Sequence, residues 1–168
     1  MDSVMLGLRM SHIFFGVFWA GTYLFTTLIL LPRLRALGPS IERPVFREVM
    51  KIATPIMVVS SLVILGTGIA MALRVWGWHL DDILATGWGK AMLVALIATV
   101  AAIAGGFAFL MPSGLRMDKI NRAIQGREPS PEEDRELERL STRIRKRDRI
   151  FFLFVLTALI AMPVARFV

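Results

Sequence analysis

No cysteine occurs anywhere in the 168 residues, so disulfides, thiolate metal ligands and cysteine nucleophiles are excluded. Histidine is nearly as scarce, at two, too few to build a di-haem b-type centre within one chain. Charge is missing locally: four long stretches contain no Asp, Glu, Lys or Arg. Without acids there, a proton-coupled carrier built on buried carboxylates is disfavoured. A nucleotide loop, a serine triad and an inverted repeat of the secondary-transporter kind are also lacking.

What the chain has instead is apolar length. It is 55% hydrophobic with a mean hydropathy of +0.62, too apolar for a soluble domain of this size, and it has room for one domain. The first span, 10–31, makes a rod of roughly 33 Å, enough for a hydrocarbon core of about 30 Å. Pro32 is expected to end it. The second span, 52–73, starts after Lys51, with Pro55 in its first turn. The third, 91–111, follows Lys90 and stops at Pro112. The fourth covers 150–167, interrupted only by Arg166. The first span is too long for a signal-peptide core and lacks a convincing cleavage site, so it reads as a retained helix. The expected fold is all-α: an integral membrane four-helix bundle, one transmembrane domain over 1–168.

The net charge of +7 sits beside these spans rather than across a surface suited to nucleic acid, so no nucleic-acid partner is expected. Arg33, Arg35, Arg43, Arg47 and Lys51 lie in the first loop, and eleven more cations lie between Arg116 and Arg149. Arg9, Arg74, Lys90 and Arg166 are all that remain for the other side. Sixteen against four puts the two basic loops in the cytoplasm and both termini outside. That is the topology of a multi-pass protein of a prokaryotic inner membrane.

Residues 112–149 are expected to form a cytoplasmic helical hairpin between the third and fourth membrane helices. Ser130, Pro131 and Glu133 make a capping box with proline at the first helical position. Leu137, Leu140 and Ile144 recur at helical spacing, with acids early and bases late along the dipole. That helix is expected to run unbroken into the fourth span, and Leu115, Ile120 and Ile124 extend the third past Pro112. A solvated stalk and a docking surface for a partner are both open readings of this hairpin.

Chemistry has few places to reside. His12 is an ionisable residue inside a span, which by default marks a functional site. Gly16, Trp19 and Tyr23 follow on the same helix face. The glycine would admit a flat ligand, the tryptophan wall it, and the imidazole ligate a haem iron. The plainer reading has His12 reaching interfacial water and Gly16 serving helix packing. Lys90 is either a snorkelling anchor or a cation for a ligand carboxylate such as a porphyrin propionate, and Arg74 falls near the same face. His79, beside Asp81 and Asp82, is a weak metal candidate or a second axial ligand. Met10, Met71 and Met162 are others. Ala98, Ala102 and Gly106, with Ala101 and Gly105, form a small-residue seam, and Gly66 to Gly68 do the same in the second helix. Thr54, Ser60 and Ser61 can bond back to their own helix.

Ser11 to Gly21, a histidine-bearing helix with His12, Gly16, Trp19 and Gly21, resembles the first helix of the CopD-like and HemJ-like membrane proteins. Leu30 to Leu34, Leu65 to Gly68, Gly87 to Lys90 and Leu159 to Phe167 are similar to further parts of that superfamily. The HemJ side of the resemblance implies b-type haem and protoporphyrinogen-oxidase-like chemistry, with His12 as haem ligand and Lys90 important to activity. The CopD side implies copper handling. The leading expectation is therefore a haem-binding membrane protein in electron transfer or porphyrin oxidation, with haem b as cofactor. The others are a non-catalytic accessory subunit of a larger membrane complex and a copper-related permease. A membrane-protein complex or homo-oligomer is the partner expected besides the bilayer.

Overall fold

A computed structural model describes residues 2–77, 80–124 and 127–168, and their regular elements are all helical. In chain order they are α1 (Ser3–Ala36), α2 (Pro39–Trp76), α3 (Leu80–Ala85), α4 (Gly87–Ala123) and α5 (Pro131–Val164), which closes in a 3-10 turn, Ala165–Phe167. Four of them are long and apolar enough to cross a membrane. Their large apolar side chains are openly displayed: Ile13, Phe14 and Val17 on α1 are 60%, 67% and 69% exposed. In water such a surface would aggregate; in a bilayer it is the solvent-matched face.

The helices are longer than the apolar spans. At about 1.5 Å per residue, α2 alone measures roughly 57 Å, almost twice a hydrocarbon core. The surplus lies in charged extensions: the end of α1, the start of α2, the end of α4 and the start of α5. Two boundaries expected from proline are therefore corrected: Pro32 does not stop its helix, and Pro55 is not in a first turn, because α2 already begins at Pro39. The third helix runs on past Pro112, as the spacing of Leu115, Ile120 and Ile124 indicated.

The reason is visible in the backbone. A proline ring inside a helix clashes with the carbonyl four residues back, here those of Leu28 and Ala108. In both places the helix widens into a π turn, Thr26–Leu30 and Gly106–Leu110. The amide of Leu31 reaches the Thr26 carbonyl and that of Met111 the Gly106 carbonyl. Each bulge makes room for the ring that follows, so the helix passes through its proline instead of ending there.

The chain divides into two compact units, Met1–Leu93 with Phe167–Val168, and Val94–Arg166. In the first, α1 and α2 form an antiparallel pair joined at Leu37 and Gly38. Gly38 turns the chain at φ 87°, a conformation that disfavours side chains. Arg35 and Glu42 face each other across the turn at 3.6 Å.

In the second unit, α5 packs against the π turn and charged end of α4. Gly105 is the close-approach residue of the small-residue seam: the Phe151 ring occupies the place where its side chain would stand. Gly106 is not part of that contact, since an added Cβ there meets nothing within 4 Å. The capping box at the start of α5 is formed as expected. Ser130 Oγ accepts from the Glu133 amide at 3.3 Å, and Glu133 accepts from the Ser130 amide at 2.8 Å. Leu137 and Leu140 are buried on the helical face their spacing indicated.

Hydroxyls inside the spans mostly bond within their own helix. Ser61 donates to the Met57 carbonyl at 2.7 Å and Thr99 to that of Ala95 at 2.8 Å. Ser60 departs from the expectation: it is fully buried and its hydroxyl has no partner among the described residues.

Candidate functional site

The first unit brings one group of polar side chains together within its apolar spans. His12 Nδ1 lies 2.9 Å from Thr67 Oγ1, across the α1–α2 pair. The threonine hydroxyl has one proton, and a short bond of 2.6 Å to the Val63 carbonyl takes it. Toward the imidazole the hydroxyl must then accept, so the ring donates from Nδ1. The Ile64 carbonyl lies against the same ring and 3.2 Å from the same hydroxyl, so the acceptors gather on one side. With Nδ1 carrying the hydrogen, Nε2 holds the lone pair and is the nitrogen left to accept or to ligate.

Thr67 is thus the residue that sequence reasoning missed. It read as one part of a small-residue seam; its local back-bond to Val63 is what orients the hydroxyl lone pair toward α1. Gly68, next in the chain, completes the arrangement. A Cβ on it would stand 3.2 Å from His12 Cε1, so the missing side chain lets the imidazole lie against α2.

The face of α1 around His12 is half-buried at His12, Gly16, Trp19 and Tyr23, and exposed at Ile13, Phe14, Val17 and Phe18. The expected spacing therefore corresponds to a real face. Gly16 opens on space, an added Cβ meeting nothing within 4 Å. Its role is not close helix packing; that belongs to Gly68. Trp19 stacks on Tyr23, ring centroids 6.4 Å apart and planes within 13°, which fixes the indole along the same face.

The remaining site residues are not gathered around His12 by any hydrogen bond or ion pair among the described residues. Arg74 is engaged by Asp2, Nη2 to Oδ2 at 2.9 Å, while the other oxygen of Asp2 caps α1 through the Val4 amide at 3.1 Å. One carboxylate thereby ties the start of α1 to the end of α2. Lys90 sits exposed in the first turn of α4, its backbone amide bonded to Thr86. Just before it, Gly89 lies against the Ile83 backbone and takes a 3.0 Å bond from its amide to Thr86 Oγ1. The glycine of that short motif makes a tight entry into α4. His79 lies outside the described residues. Among those described, no three His, Cys, Asp or Glu side chains come together to hold a bare metal ion.

For haem, a protein ligand to the iron is an imidazole whose other nitrogen is held by an outer partner. His12 and Thr67 fit as such a pair, and Gly16, one turn on, meets nothing where its side chain would stand. No family model, curated protein or solved structure matches the chain.

Proposed function

We propose that the chain is a haem-binding integral membrane protein with a redox or porphyrin-oxidation role, in keeping with its resemblance to the CopD-like and HemJ-like proteins. The observation that carries this reading is the His12–Thr67 hydrogen bond. Polar groups within a hydrocarbon span are costly and usually functional, and this pair presents Nε2 in the state that iron requires. When bound, haem b supplies one-electron chemistry that this side-chain set lacks.

His12 would hold the haem iron through Nε2. Thr67 holds the ring from the other nitrogen, which raises ligand basicity and limits rotation. Gly16 would leave room for a flat macrocycle, and the Trp19–Tyr23 stack would offer it an aromatic wall. Lys90 is the cation offered to a propionate or an anionic substrate; Arg74 serves this purpose only by sharing Asp2. The sixteen-to-four distribution of cations supports a prokaryotic inner membrane as the setting, with 112–149 a cytoplasmic helical hairpin and both termini outside.

The test is spectroscopic. Full-length protein purified in mild detergent from a haem-replete host is expected to show a Soret band with a b-type pyridine haemochrome. His12→Ala is expected to abolish it while the protein remains folded and inserted. Colourless wild-type protein, or a His12→Ala variant with an unchanged spectrum, overturns the proposal.

A further inference from the structure

The second unit carries two adjoining surface features that the haem reading does not use. The first is a recess on α5 lined by Arg135, Glu138, Arg139, Arg143, Lys146 and Arg147, with Thr142 between them. These positions fall on one helical face, at intervals of three and four. Five cations face one carboxylate there. The second is an apolar groove of about 460 Å³ between α4 and α5, bounded by Ala104, Gly105, Ala108, Phe109, Phe151 and Phe154. Arg147 borders both. Its guanidinium lies 4.4 Å from the Phe109 ring centroid, and Phe109 in turn stacks on Phe151 at 6.5 Å.

Arg147 is half-buried, and no ion pair with it is formed among the described residues. A ring face offsets only part of the hydration such a cation gives up. The position in the chain says what should replace it. Ile150, three residues on, begins the apolar span, so Arg147 stands where the helix leaves hydrocarbon, with the groove on the apolar side and the cations on the other. An occupant complementary to both halves is anionic at one end and aliphatic at the other.

We propose that this surface holds an anionic phospholipid. Its phosphate meets Arg147, Lys146 and Arg143, and one acyl chain lies along Ala104 and Ala108 between the helices. Basic clusters at the end of a transmembrane helix attract anionic headgroups in general. The groove adds a place for the chain, and with it a bound lipid rather than a diffuse layer.

The experiment uses the full chain in a mild neutral detergent, observed by native mass spectrometry with phosphatidylglycerol or phosphatidylcholine of identical acyl chains. Phosphatidylglycerol is expected to be retained preferentially, and Arg147→Gln to weaken that retention about fivefold. Ala108→Phe keeps every charge but fills the groove, and it should lower retention of phosphatidylglycerol as well. Arg149→Gln, outside the recess, should change little and controls for net charge. Equal retention of the two lipids overturns the proposal, as does full retention by Ala108→Phe, which would leave only surface electrostatics. A soluble polyglutamate peptide that occupies the recess in place of phosphatidylglycerol would assign this face to an acidic protein partner and overturn it too. Wild-type elution and helicity are the control that each variant is folded.

Discussion

In the first unit, α1 and α2 bond to one another through polar groups inside their apolar spans, His12 to Thr67, as well as at their ends, Asp2 to Arg74. In the second, an ion pair between α4 and α5 lies in their charged extensions, Arg116 to Glu136 at 2.6 Å. Their apolar contacts include Gly105 against the Phe151 ring and the stack of Phe109 on Phe151. The units share a plan: an apolar helix, a π turn before a proline, and a return helix with proline in its first turn. What differs is where the polar side chains went. Packing alone holds a helix pair in lipid through small residues, as the second unit does. A histidine and a threonine paired across the first add a polar bond to that packing, which is why chemistry is proposed there.

The contrast is sharpest at two glycines that look interchangeable in the sequence. Gly105→Val is expected to destabilise the protein by about 2 kcal/mol, because the added side chain must displace the Phe151 ring from a packed contact. Gly106→Val opens on space and is expected to lose far less. Denaturation of each variant in mixed micelles, followed by circular dichroism, measures the difference. Equal losses would mean that the second pair is not held at Gly105.

A smaller effect is expected in the first pair. Thr67→Val removes the acceptor for Nδ1–H and leaves a hydrogen-bonding group in an apolar setting. A double-mutant cycle with His12→Ala should return a coupling of about 0.6 kcal/mol, the usual size for side-chain bonds between membrane helices. Thr67→Ser should retain it. In haem-loaded protein, Thr67→Val should also shift the Soret band and the reduction potential while leaving haem bound, because the tautomer is no longer fixed. Absence of any coupling would reduce the cross-helix bond to a coincidence of packing, and the two units would then differ only in side-chain size.

The sequence was a good guide to whatever depends on neighbours along the chain. Four charge-free stretches gave four long helices, and Ser130 with Glu133 gave the cap, since hydropathy and capping act within a few residues. Proline misled for a related reason. Its local cost is real, but a π turn absorbs it, and nothing in Leu31-Pro32 or Met111-Pro112 marks that the backbone will widen beforehand. The candidate site was half legible. His12, Gly16 and Trp19 share one helix and their common face follows from spacing alone. Thr67 lies 55 residues from His12, and only the register of α1 against α2 makes it a partner. The same register gives Gly68 the close packing expected of its seam, and it decides between the two readings of Gly16 in favour of open space.

The smallest effect belongs to the charged start of α5 and tests whether the extensions are independent of the spans. Arg127 grips Glu133 through both guanidinium nitrogens, at 2.8 and 2.6 Å, and the Ser130 amide donates to the same carboxylate at 2.8 Å. Arg127 first, then the Ser130 amide, hold the Glu133 carboxyl down at about 2, against about 4.3 for a free glutamate. A carboxyl held lower in the folded state binds its proton less readily there than in the unfolded chain. Its contribution is therefore complete above about pH 4.5 and is lost as pH falls toward 2. The ion pair lies at the surface and is screened by solvent, so the loss should appear as fraying of the first turn of α5 rather than as unfolding. Amide exchange at Glu133 and Asp134, corrected for the intrinsic pH dependence, should accelerate over that range, and Glu133→Gln should show the faster rate already at neutral pH. Amides within the apolar span beyond Ile150 should keep their protection throughout. Loss of protection there at the same pH would join the extension and the span into one cooperative element, and the separation between charged ends and apolar middles would no longer hold for this unit.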